Sequence, residues 1–137
     1  MTVAQVKARC RVVQDSVPDN PFEERYRRGM LVMLGRDTVL ARVLADSVSR
    51  IEVTTPHLRT RDSLGVGTRL IALLRRRGAF GGTSETSTSV DVAAHCGISF
   101  ELSTVRGADG EEFTAKEMLS WSPDITVTAV VILGCRH

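Results

Sequence analysis

The chain has 137 residues, enough for one domain with a real hydrophobic core that needs no metal or dense disulfide framework to hold it. It is 42% hydrophobic and 25% charged, which excludes a disordered chain, and 4% aromatic content leaves little from which to build a base-stacking platform. With 18 basic and 16 acidic residues the net charge is +2, so the charge balance argues against nucleic acid and gives no case for a membrane surface.

Residues 5–13 alternate polar and apolar with period two, placing Val6, Ala8, Cys10 and Val12 on one face and Lys7, Arg9 and Arg11 on the other. That rhythm predicts a half-buried strand. Residues 14–24 contain Pro18, Asp19, Asn20 and Pro21 and read as a loop. A meander follows. It comprises a short apolar strand at 30–34, a turn at Gly35-Arg36-Asp37, a strand at 38–45, a turn at Asp46-Ser47 and a strand at 49–54 with Ile51 and Val53 inward.

Residues 56–67 form a long polar connection ending in two glycines. The next segment predicts the one amphipathic helix, over residues 68–77: Thr68 at the N-cap, an apolar stripe of Leu70, Ile71, Leu73 and Leu74, and Gly78 as a left-handed cap. Buried against the sheet, that stripe makes Leu74 an anchor whose truncation to Ala costs ~2–5 kcal/mol. The segment at 79–89, rich in Gly, Ser and Thr, reads as a loop running into a strand that Val90 and Val92 continue. Ala94-His95-Cys96-Gly97 reads as a hairpin turn, and Ile98, Phe100 and Leu102 as a strand. Residues 106–112 are a charged loop, 114–121 one or two helical turns stopped by Pro123, and 125–135 a last strand. In it Ile125, Val127, Ala129, Val131, Leu133 and Cys135 share one parity.

The expected fold is therefore α+β, a mainly antiparallel sheet of about seven strands with one central amphipathic helix. No apolar run approaches the ~20 residues of a membrane span. Met1 is followed by a polar segment and not by the core of a signal peptide, so the chain is expected in the cytoplasm, or in the periplasm or outside the cell if an export signal was removed.

Cys10, Cys96 and Cys135 match no metal-ligand spacing, and no metal or cofactor is expected. Each is in phase with the apolar set of its own segment, placing all three on the inner side of one sheet. Cys96 begins a strand and Cys135 ends one, so antiparallel pairing would bring them within bridging distance. Three buried thiols acting as small hydrophobes is the other reading.

Gly65, Gly67 and Thr68 before the helix offer either a turn or a cradle for an anion, though the full glycine fingerprint is absent. His57, Arg59, Arg61 and Asp62 crowd one loop and make a candidate binding patch, or an ordinary self-bonded loop. Arg75, Arg76 and Arg77 read as cations at a helix C-terminus. An enzyme would have to assemble its site around His57 or from dispersed residues such as His95, Asp91 and Ser99.

The stretch from Thr60 to Thr68 (Thr-x-x-x-x-Gly-x-Gly-Thr), with Gly97-Ile98-Ser99-Phe100 and Gly134-Cys135, resembles an uncharacterised group of small, mostly exported bacterial domains. The resemblance spans roughly residues 48–135. It implies a cell-envelope location and no assigned activity. The resulting expectation is a non-enzymatic binding or protein-interaction module with a protein or small-ligand partner. A small enzyme with a site around His57 or His95 is the alternative.

Overall fold

In the computed structural model the backbone is described for residues 1–18 and 27–135, and side chains for these except 15–18 and 27–28. The first element is a helix, α1 (Val3–Arg9), where the alternation predicts a strand. Two periods compete in this segment. Val3, Val6 and Cys10 are also spaced i, i+3, i+7, which is one face of a helix. The capping box decides: Thr2 Oγ1 accepts from the Gln5 N–H (3.2 Å), and Gln5 Oε1 accepts from the Thr2 N–H (2.9 Å). Val3 and Val6 are buried, while Cys10 is the C-cap, half-buried and outside the sheet.

Strand β1 (Val12–Pro18) occupies the start of the segment read as a loop; residues 19–26, with Pro21, lie outside the described residues. Then come β2 (Arg27–Leu34), β3 (Asp37–Leu44) and β4 (Ser47–Val53), the expected meander. After a connection, α2 (Leu70–Leu74) is five residues long and buries only Leu70 and Leu73. It is neither the expected ten-residue element nor clearly central. Its N-cap is Arg69, without a side-chain cap bond, because the Thr68 hydroxyl is used inside the preceding loop.

The Gly/Ser/Thr-rich segment is a hairpin, β5 (Phe80–Ser84) and β6 (Ser87–Asp91), and not a loop. Thr83 and Thr88 are buried in it and bond each other (2.7 Å). Thr88 Oγ1 also accepts from the Arg106 N–H (2.8 Å), so these hydroxyls sit inside without an unmet partner. Strand β7 (Ile98–Leu102), a short β8 (Glu112–Thr114), α3 (Ala115–Met118) with its own Thr114–Glu117 capping box, and β9 (Val127–Ile132) complete the chain.

The nine strands among the described residues form one antiparallel sheet in the order β1-β2-β3-β4-β9-β7-β6-β5-β8. The last strand is inserted between β4 and β7 and joins the two halves. Following the register across it, Met30, Ala41, Ile51, Ile132, Ile98, Val53, Val130, Phe100 and Val90 share one face, which is the core side. The other face carries charge, including Glu52 with Arg50 at 2.6 Å and Arg42 at 3.7 Å.

The parity read along β9 breaks in the middle. Glu101 pairs with Ala129 but Leu102 pairs with Val127, a register shift that passes over Thr128. An extra residue of this kind moves everything beyond it to the opposite face. Val127 therefore points inward, and so do Val130 and Ile132, while Leu133 is 57% exposed and Cys135 is exposed. The three cysteines do not share the inner side of the sheet.

Candidate functional site

Between β4 and α2, residues 56–68 form an irregular loop whose polar groups bond to one another. Arg59 is its fastening. Nε donates to the Ser63 carbonyl (3.1 Å), one terminal nitrogen to the Pro56 and Val66 carbonyls (3.2 and 3.1 Å), and the other to Thr68 Oγ1 (3.1 Å). A planar guanidinium with several fixed donors holds four points of a loop in a way that an ammonium cannot.

Asp62 is the second hub. Its Oδ1 accepts from Thr60 Oγ1 (2.6 Å) and from His95 Nε2 (2.7 Å), and its Oδ2 from Arg76 (2.8 Å). A carboxylate only accepts, so Nε2 of His95 carries a proton in this contact. The Thr60 hydroxyl bond, followed by His95, holds the Asp62 carboxyl down from the ordinary 3.8 to about 2. Thr60 Oγ1 in turn receives the Leu64 N–H (2.9 Å). The loop is thus tied to the His95 turn and to the segment after α2.

Gly65, Gly67 and Thr68 do not form an anion cradle. Their N–H groups are already given to Thr68 Oγ1 (3.0 Å), the Val127 carbonyl (2.8 Å) and the Gly65 carbonyl (3.0 Å). Gly67 has φ +92, which is turn geometry that favours glycine.

His57 sits apart from this cluster, 75% exposed, with Nδ1 2.9 Å from Asp37 Oδ1. That bond, ahead of the one from Thr55, lowers the Asp37 carboxyl. Arg61 is exposed. Ser99 donates to Asp91 (2.5 Å), but His95 is bonded to Asp62, so the dispersed His95, Asp91 and Ser99 set is not brought together through hydrogen bonds. Among the described residues no group of three His, Cys, Asp or Glu side chains is placed to hold a metal. No helix among them is long and apolar enough to cross a membrane.

The feature that residue-by-residue reading missed is an apolar hollow of about 240 Å³ between this loop and the sheet. Leu58 and Leu64 of the loop face Leu34, Val53, Ile98 and Ile132 of the strands across it, and Arg59 and Thr60 also line it. Leu58 and Leu64 in a largely polar connection were the local signal. Beside the hollow, Cys96 and Cys135 are bridged with Cα atoms 5.3 Å apart. The antiparallel pairing of β7 with β9 brings them there, since Ile98 faces Ile132 two residues after Cys96 and three before Cys135.

No protein-family model matches the chain, and no curated protein is significantly similar to it. Among solved structures, the chain is similar to the uncharacterized protein YfeY from Escherichia coli, with a TM-score of 0.60 and 17% identity. The match covers 96% of this chain and 86% of that one. At that identity the likeness concerns the fold, and the fold is what the two proteins share.

Proposed function

We propose that the protein is a non-enzymatic binding module that takes a small apolar ligand, or the apolar end of a larger one, in the hollow under residues 56–68. The observation that carries this is the hollow itself: aliphatic side chains open to solvent, with one wall made rigid by the Arg59 and Asp62 bonds. Its volume exceeds the roughly 150 Å³ of an apolar cavity known to hold benzene. A preformed site of this kind avoids the ordering cost that a flexible loop would add on binding. The histidines support an enzymatic reading less well. The His95 ring and both Asp62 oxygens are engaged in holding the loop, and His57 stands on the open surface.

We assign the module to an oxidising compartment such as the bacterial cell envelope. The Cys96–Cys135 bridge supports this, as does the resemblance to exported domains.

Octan-1-ol is a suitable probe for a titration followed by amide NMR. Saturable shifts are expected at Leu58, Leu64, Ile98 and Ile132. Replacing Leu34, a partly exposed wall residue, by Lys is expected to weaken binding at least threefold. Shifts that never saturate, or that map elsewhere, would remove the hollow as the site.

A further inference from the structure

We infer that the Cys96–Cys135 disulfide is a reducible latch on the hollow, holding its walls together when oxidised and releasing them when a dithiol reductant cleaves it. The inference rests on the binding role just proposed, but the latch also has a readout of its own.

Ile98 and Ile132 pair directly and both line the hollow. Cys96 lies two residues before that rung and Cys135 three residues after it, so the bridge closes the end of the same ladder. Strand β9 stops at Ile132. Beyond it, the Leu133 N–H donates to the Gly97 carbonyl (2.7 Å), and the bridge is the next tie. The two backbones approach so closely at this point that a Cβ on Gly97 would run into Gly134.

The opposite wall is tied to the same turn. His95, adjacent to Cys96, bonds Asp62; Asp62 accepts from Thr60, and Thr60 accepts from the Leu64 N–H. Thr60 and Leu64 both line the hollow. One covalent bond therefore steadies the Ile98/Ile132 wall directly and the Leu64 wall through a chain of hydrogen bonds.

Cys96 and Cys135 are both exposed, which leaves the bridge open to attack. A thiolate of the dithiol attacks Cys135 Sγ, the S–S bond breaks and Cys96 leaves as a thiolate that takes a proton. The second thiol resolves the mixed disulfide and releases Cys135. Two electrons pass to the protein, the two protons lost by the dithiol end on the cysteine thiols, and the reductant becomes a disulfide.

The test compares the oxidised chain, the chain reduced with dithiothreitol and the Cys96→Ser/Cys135→Ser double variant. It measures circular dichroism, amide exchange and octan-1-ol affinity. The latch predicts a retained fold, exchange at Ile98 and Leu133 accelerated at least tenfold more than at Val32 and Val43, and at least threefold weaker octanol binding in both open forms. Global unfolding on reduction would make the bridge a brace and overturn the latch. So would equal exchange in all three forms, or faster exchange with unchanged affinity. If octanol binds no form, the binding role fails. The latch is then upheld by local exchange at Ile98 and Leu133 or refuted by its absence.

Discussion

Asp62 shows how a single side chain can organise what the chain around it leaves irregular. Its carboxylate joins Thr60, His95 and Arg76, which belong to three separate segments. Reading Arg76 as a cation placed for a helix dipole missed this, because α2 ends at Leu74, before Arg76 is reached. The depressed Asp62 carboxyl links the loop to pH. The group is charged in the fold down to about pH 2 but protonates near 3.8 when unfolded. Its contribution is therefore complete above the unfolded value and is lost as pH falls from about 4 towards 2. An Asp62→Asn variant is expected to be less stable than the parent at pH 6, with the gap narrowing across that window. Urea midpoints measured at pH 6, 4 and 2.5 would show it, and a gap independent of pH would mean that the carboxylate charge is not what holds the loop.

At the level of single elements, the short helices and the glycine-rich hairpin depart most from expectation. The stripe of α2 is narrower than four large side chains. Leu73 is completely buried and Leu70 nearly so, while Ile71 is 37% exposed and Leu74 half-buried. The expected anchor therefore moves from Leu74 to Leu73. Leu73→Ala is expected to cost about 2–5 kcal/mol by leaving a cavity, and Leu74→Ala clearly less. Thermal or urea unfolding of the two variants checks the order, and equal losses would refute it. In the β5–β6 hairpin, Gly81 allows Met118 of α3 to pack against the strand, since a Cβ there would meet the Met118 sulfur at 2.7 Å. Of the small residues that suggested a loop, Gly81 is small because α3 lies on it.

Across the whole molecule, β9 and the disulfide bear on stability together. The bridge spans 39 residues of sequence. Closing a loop of that length removes chain entropy worth about 4 kcal/mol from the unfolded state. The Cys96→Ser/Cys135→Ser variant is expected to lose roughly 2–4 kcal/mol, measurable as a lower urea midpoint in the absence of reductant. A midpoint equal to that of the oxidised parent would show that the bridge adds nothing to the closure already made by the sheet.

Much of this protein was legible in its residues. The β2–β3–β4 meander, β7 and a strand near the C-terminus follow from period-two patterning and short turns, which are local properties of the chain. The pairing of Cys96 with Cys135 was one of two open readings, because it depends on which strands become neighbours. Tertiary structure alone decided that β9 enters between β4 and β7, that a register shift near Thr128 turns Leu133 and Cys135 outward, and that the loop folds back over Ile98 and Ile132 to leave a hollow. Local periodicity says which residues seek a face. Which face they obtain depends on contacts between residues far apart in sequence, and no window along the chain contains those partners.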